Sequence, residues 1–242
     1  MSKRNSILQI LLPVYNEADS IEQVIREIYE EISPRVKMEF IISEDGSTDG
    51  TKEILRKLSK RFPIILISDK ERKGYTRAVM DGLGQFSGKY LLCLDSDGQC
   101  DPKDFWKFWQ IRTKADLIIG HRIDRQDNIV RKILSRGFYY FYKTLFPVSI
   151  HDPSCPFILT TQKVVKGLLP ELGLTDQGFW WEFTARAYKH RFSFLEIPVN
   201  HRLRFAGETQ VYKPRKMLLI GIKHATALFK IFFQEASSNY SK

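Results

Sequence analysis

Cysteine is scarce in this chain and odd in number. Cys93, Cys100 and Cys155 are the only three among 242 residues, and none stands at a zinc-ligand spacing. That excludes a disulfide-framework protein and fits a reducing, cytoplasmic setting. Long apolar runs are missing too. No stretch of 18 apolar residues occurs, so no spanning helix is expected. The opening MSKRNSILQILLPVYNE reaches Asn16 and Glu17 too soon to form the apolar centre of a secretory leader. There is no internal repeat and no low-complexity segment. The last scarcity is of negative charge in one half. Residues 1–120 hold 19 Lys/Arg and 19 Asp/Glu, whereas residues 121–242 hold 19 and only 9, so the whole net charge of +10 lies there. Such asymmetry points to an anionic partner for the second half: a phosphate, an acidic membrane surface or nucleic acid.

What is present suits a globular enzyme. The chain is 43% hydrophobic and 13% aromatic, enough for a sizeable core. Strand and helix patterns alternate in the first half. Apolar runs at 7–14, 38–43, 64–68, 90–95 and 117–120 read as strands, and Ile21, Val24, Ile25, Ile28 and Ile32 recur at helical spacing. Helices are expected around 54–58, 75–86 and 102–112, the last opened by Pro102. This alternation predicts an α/β fold with a mostly parallel sheet covered by helices. The second half is less regular. Helices are expected over 129–146 and 178–190, with strands at 157–161 and 192–199. The segment 215–234, RKMLLIGIKHATALFKIFFQ, reads as an amphipathic helix suited to lie on a membrane surface. No composition break interrupts residues 1–212, which read as one catalytic domain, with 213–242 as an appended helix and tail.

Four acidic or basic motifs close the expected strands or open the helices after them. LLCLDSDGQCDP, at 91–102, runs an apolar strand into Asp95 and Asp97. Two carboxylates at a strand's carboxyl end repel unless a cation lies near, and hard oxygen ligands suit Mg²⁺ or Mn²⁺. PVYNEADSI, at 13–21, and EDGSTDGT, at 44–51, follow the first two strands. Their acidic residues can cap helices, or accept bonds from a base or ribose. KERKGYTRA, at 70–78, places Arg72 and Lys73 before a helix start, where cations can meet a diphosphate.

Taken in order, these motifs resemble the family 2 glycosyltransferases, which have the Rossmann-like GT-A fold. The similarity is greatest to the branch of dolichyl-phosphate mannosyltransferase and bacterial polyprenyl-phosphate glycosyltransferases, and covers residues 7–212. There are three departures from that branch's patterns: Glu44 replaces the first Asp of D-D-G-S, at an edge that helps read the base; His121 replaces the Ser of G-S-R; and Gln210 stands where the loop after Arg204 often has Lys, with Lys213 close by. The resemblance implies that Asp95, Asp97 and Gln99 hold Mg²⁺ or Mn²⁺ on the donor diphosphate. It places Pro13, Tyr15, Glu17 and Asp45 at the nucleoside; Glu44, Lys73 and Ser96 join them as candidate donor contacts. It implies an acceptor phosphate at Arg122, at Arg131 and Ser135 of RKILS, and at Arg204. Arg131 and Ser135 are four apart and share one helix face.

The expected reaction is metal-dependent inverting transfer of a hexose from a nucleotide sugar to a dolichyl or undecaprenyl phosphate, at the cytoplasmic membrane face. An ionised phosphate monoester needs no general base, whereas a saccharide hydroxyl does. No Glu-Asp base motif follows Asp152. Glu182 in GFWWEF is the one acidic residue suitably placed there, so it would be the base if the acceptor were a glycan in surface-polysaccharide synthesis. Asp95, Asp97, Arg122 and Glu182 are therefore the candidates for the chemistry itself. A nucleic-acid partner is not expected, since no such motif is visible and acidic strand ends would repel a backbone.

Overall fold

A computed structural model describes residues 6–123, 129–176, 178–205 and 214–234, with the backbone alone at 129–134 and 214–219. Seven strands form one sheet: β1 (Leu8–Val14), β2 (Met38–Glu44), β3 (Ile64–Ser68), β4 (Tyr90–Cys93), β5 (Leu117–Ile123), β6 (Ile158–Thr161) and β7 (Phe194–Asn200). Their order is β3-β2-β1-β4-β6-β5-β7. All neighbours are parallel except β6, which runs antiparallel to both β4 and β5.

The central strands are buried on both faces, which explains why they read as continuous apolar runs rather than alternating ones. All seven residues of β1 are buried. Its one polar member, Gln9, is hydrogen-bonded at both ends of its amide. Its amide donates to Glu39 on β2 at 2.9 Å and accepts the Ser87 and Gly88 N–H groups, each at 2.8 Å. Helices cover the sheet. α1 (Ile21–Ile32) buries the five residues whose spacing marked it, and α2 (Thr51–Leu58) and α3 (Tyr75–Gly84) follow β2 and β3. The expected helix over 102–112 is divided. Asp101 accepts the Lys103 N–H and starts a 3-10 turn at Pro102–Asp104, which leads into α4 (Phe105–Gln110).

The second half builds an aromatic-rich helical layer. α5 (Ile129–Leu145), α7 (Phe179–Lys189) and α8 (Pro214–Phe233) pack together, and the Tyr142 hydroxyl donates to Thr184 at 2.9 Å inside the layer. α6 (Gln162–Leu168), a short helix after β6, did not stand out in the sequence. α8 is docked on the domain through Ala227, Leu228 and Ile231, and Arg186 reaches Gln234 at 3.2 Å. Its other face exposes Ile222, Phe229 and Phe233. Among the described residues no helix is long and apolar enough to cross a membrane.

The strand order reverses between β1 and β4. Crossovers leave β1 toward β2 and β3 on one side, and β4 opens the other. The crevice at the carboxyl ends of such a pair is where ligands bind in open α/β sheets. The loop after β2 reaches this crevice only because Gly46 adopts φ +73°. A Cβ at Gly46 would overlap the backbone of Glu71 and Arg72. The strained backbone alone costs about 1–3 kcal/mol. Gly46→Ala is therefore expected to lower the melting temperature by roughly 5 °C or more. Gly84→Ala, with nothing within 4 Å of its Cβ, should stay within about 2 °C of the parent. Thermal denaturation of the two variants side by side checks this.

Candidate active site

A cleft of about 260 Å³ opens at the switch point, lined by the loops that follow β1, β2 and β4. Two of these loops are stitched to each other. Asn16, in the left-handed region at φ 52°, donates its N–H to Ser47 Oγ and accepts the Thr48 N–H, each at 2.9 Å. The Glu17 N–H donates to Thr51 Oγ1 at 2.9 Å and the Ala18 N–H to Asp49 at 3.1 Å. The capping residues of EDGSTDGT thus hold the PVYNE loop as well as their own helix.

Pro13, Tyr15, Glu17, Asp45, Asp95, Ser96, Asp97 and Arg204 all line this one cleft. Asp95 accepts a hydrogen bond from the Tyr75 hydroxyl at 2.8 Å, and Trp180 Nε1–H donates to that same hydroxyl at 2.8 Å. Burial, then the neighbouring Asp97 charge, pushes the Asp95 carboxyl up to about 6. Asp97 accepts its own turn's Gln99 N–H at 3.0 Å. Arg204 donates to Asp97 at 2.9 Å and to Glu17 at 3.2 Å, joining the ends of β4 and β1. Burial raises the Glu17 carboxyl, opposed by the Ser20 hydroxyl and Arg204. Asp45 is raised by burial in the same way, opposed by the backbone N–H groups of Lys73 and Gly74. Three carboxylates are raised above their ordinary range in one cleft, each chiefly by burial. The neighbouring Asp95 and Asp97 carboxylates, two hard-oxygen donors two residues apart whose charges oppose each other, fit a divalent cation.

Other candidates lie elsewhere. Glu44 is fully buried and does not line the cleft. It accepts the Ser47 N–H and the Ser68 hydroxyl, the latter at 2.8 Å, and so braces β2 to its turn and to β3. The Lys73 ammonium pairs with Asp69 at 2.7 Å and with Asp81, away from the cleft. Its neighbour Arg72 lines the cleft instead, with its guanidinium over the Tyr15 ring at 4.0 Å. The Gln99 side chain donates to the Arg202 carbonyl at 3.3 Å, tying the D-x-D turn to the segment carrying Arg204. Arg122 forks onto Asp152 at 2.7 and 2.9 Å and donates to Ser154 at 2.8 Å. It lies near enough to Asp95 to favour that group's charged form. Ser135 sits half-buried on α5, and the side chain of Arg131 lies outside the described residues.

Glu182 requires a correction. It is 0% exposed and accepts from Leu174 N–H, Thr175 N–H, Thr175 Oγ1 and Arg186 Nε, at 3.1, 2.9, 2.9 and 3.0 Å. A carboxylate saturated by four donors and closed from solvent is no general base. From the same GFWWEF stretch it is Trp180 that reaches the site, through Tyr75.

Residues 9–169 match the model of glycosyl transferase family 2. The chain belongs to that family. It is 29% identical to a dolichyl-phosphate beta-glucosyltransferase of Dictyostelium discoideum over 81% of this chain and 66% of that protein. It is 25% identical to a dolichol-phosphate mannosyltransferase of Pyrococcus furiosus over 92% of this chain and 64% of that one. The chain thus spans slightly less than two thirds of the length of these curated relatives. Among solved structures, glucosyl-3-phosphoglycerate synthase from Mycobacterium tuberculosis, in complex with Mn²⁺, UDP-glucose and glycerol 3-phosphate, superposes with TM-score 0.70 at 16% identity. That likeness covers 96% of this chain and 82% of the other, and shows the GT-A fold.

Since Glu182 is a buried brace, Glu182→Gln should act on stability. Breaking such a pair costs about 3–5 kcal/mol, a fall of roughly 10 °C in melting temperature. Nucleotide-sugar affinity of the folded variant should stay within about twofold. A general base would give the opposite result: parental melting with transfer lost.

Proposed function

We propose that the protein transfers a hexose from a nucleoside-diphosphate sugar to a polyprenyl phosphate, with a divalent metal and with inversion. The observation that carries this reading is the convergence of Asp95, Asp97 and Arg204 in a cleft at the switch point, with Glu182 withdrawn into the core. The names of the two dolichol-linked relatives support the lipid-phosphate acceptor. The Mn²⁺ and UDP-glucose of the solved structure support the donor and metal classes. Asp45 and the PVYNE loop would bind the nucleoside, and Arg72 would contact the diphosphate beside Tyr15.

Asp95 and Asp97 would hold Mg²⁺ or Mn²⁺, which supplies charge neutralisation for the leaving diphosphate without proton transfer. Tyr75, itself oriented by Trp180, fixes Asp95 in place. In the displacement a phosphate oxygen bonds to the anomeric carbon. The bond from that carbon to the diphosphate oxygen breaks, and its electron pair leaves with the diphosphate. The anomeric carbon passes through an oxocarbenium-like state. The acceptor is already ionised near neutral pH, so no proton needs to be removed. Arg122, Arg131, Ser135 and Arg204 would receive the acceptor phosphate, with guanidinium forks matched to its oxygens. On this reading residues 1–212 are the catalytic domain and 213–242 an appended helix and tail.

The test is a panel of nucleotide sugars with Mg²⁺ or Mn²⁺, offered with a short polyprenyl phosphate or with free saccharides. The expected product is a sugar-phosphate lipid of inverted configuration, and Asp97→Asn should reduce its formation by roughly 100-fold or more. Transfer only to a saccharide hydroxyl would overturn the acceptor class.

A lipid acceptor also calls for a membrane face, here the cytoplasmic one. Ile222, Phe229 and Phe233 lie exposed along one stripe of α8, with Lys223 and Lys230 exposed beside them. Such a face suits an anionic bilayer surface. The double variant Phe229→Asp with Phe233→Asp should lose roughly tenfold or more in co-sedimentation with anionic vesicles. Its melting temperature should hold, because the docked residues Ala227, Leu228 and Ile231 are untouched.

A further inference from the structure

On β5 and β7, away from the carboxylates of the cleft, three metal-ligating side chains meet. Ile119 pairs with Glu196 across the two parallel strands, and His121 lies two residues beyond Ile119. Strand alternation therefore puts Glu196 and His121 on one face of the sheet and sends Arg122 to the other. The third member, His151, comes from the segment between α5 and β6. Its Nδ1 lies 2.6 Å from Glu196 Oε2, and its ring stacks on His121 with centroids 5.4 Å apart and planes 22° from parallel. Ligand atoms of His121, His151 and Glu196 all lie within 4.8 Å of one another.

We propose that His121, His151 and Glu196 form a second metal site, selective for Zn²⁺-class ions and separate from the Asp95–Asp97 pair. Zn–N and Zn–O bonds of about 2.0–2.2 Å place tetrahedral ligand atoms roughly 3.3 Å apart. The observed separations, from 2.6 Å to within 4.8 Å, bracket that value, and Glu196 keeps Oε2 facing His151 while Oε1 is held by backbone N–H groups. Two imidazoles and one carboxylate leave a fourth position for water. The donor set also discriminates. Imidazole favours Zn²⁺ and Co²⁺, whereas the all-oxygen Asp95–Asp97 pair favours Mg²⁺ and Mn²⁺.

The site has a structural consequence. Glu196 accepts the backbone N–H groups of His151 and Asp152, at 2.6 and 2.9 Å. Asp152 in turn forks with Arg122 on the opposite face. An ion bound to His121 and His151 would pin the segment that positions Arg122. It would tie β5 and β7 to that segment with bonds stronger than the present hydrogen bonds.

The test uses the full chain, stripped with chelator and kept in excess Mg²⁺ to occupy the oxygen site. Calorimetry should show about one equivalent of Zn²⁺ bound. Co²⁺ in its place should give the visible absorption of a tetrahedral centre. His151 is 68% exposed, so His151→Ala leaves the core intact; His121→Ser provides a second, independent variant. Each should weaken Zn²⁺ by at least the roughly 10- to 100-fold that loss of an outer-shell partner costs. Each should also abolish the Zn²⁺-dependent rise in melting temperature. Asp97→Asn should keep the Zn²⁺ equivalent and the Co²⁺ spectrum. The proposal is overturned if the parent binds no Zn²⁺. It is equally overturned if both histidine variants bind it as the parent does, or if Asp97→Asn loses the ion.

Discussion

Carboxylates crowd the carboxyl ends of β1 and β4, and much of the site answers their mutual repulsion. Glu17 and Asp97 would drive the two strand ends apart were Arg204 not bonded to both. A guanidinium is suited to this role because its planar fork offers several donors at fixed angles and stays charged at any working pH. Arg204 arrives from the segment after β7, which is held against the D-x-D turn by the bridge between Cys100 and His201 and by the Arg202 N–H on the Gln99 carbonyl at 2.9 Å. The ring of the next residue, Phe205, fills the space over Gly98, so close that a Cβ at Gly98 would overlap it. The last strand's continuation therefore closes the cleft that the first strands open.

The same economy of contacts explains why so few cleft carboxylates are free. Asp45 is committed to the N–H groups of Lys73 and Gly74 at the start of α3, a local geometry in which a carboxylate compensates exposed helix donors. This places Arg72 over Tyr15 and brings Tyr75 to Asp95. One buried carboxylate on β2's loop thus orients both the cation expected at the diphosphate and the phenol that fixes the first Asp of D-x-D. A donor ligand would meet a surface whose rotamers are largely set beforehand, which lowers the ordering cost of binding.

The elements of the first half were legible because their physics is local. Short, largely apolar runs such as LQILLPV, bounded by turn residues and alternating with helical spacing like that of Ile21 through Ile32, read as strands buried on both faces. Position after the strands drew attention to the acidic motifs, and the family resemblance supplied their expected roles; the structure brings Pro13, Tyr15, Glu17, Asp45, Asp95 and Asp97 to one cleft. Orientation was not legible. Lys73 and Arg72 are adjacent and equally basic, yet Asp69 and Asp81 draw one away while Tyr15 holds the other in the cleft. Glu182 looked like a base because it was the only acid on its helix. Its four donors come from the 174–175 loop and from Arg186, and neither the loop's approach nor Arg186's burial is encoded in any local pattern. The antiparallel course of β6 was invisible for the same reason. ILTT carries no mark of direction.

The charge asymmetry takes on a different meaning once partners are known. The surplus of Lys and Arg in residues 121–242 suggested a broad anionic partner, but several of those cations are already engaged. Arg122 is forked on Asp152, Arg186 bonds Glu182 and Glu171, and Arg202 bonds Asp101 and Glu27. Four ion pairs, Arg202 with Asp101 and Glu27 and Arg204 with Asp97 and Glu17, reach back to acids of the first half, so the basic half is partly the counter-charge of the acidic strand ends. The fold thus uses sequence-distant arginines to neutralise a cleft that the first half, with its charges balanced overall, leaves locally negative. On the proposed reading, a partner phosphate would bind by re-sharing guanidinium donors that the fold already holds in place.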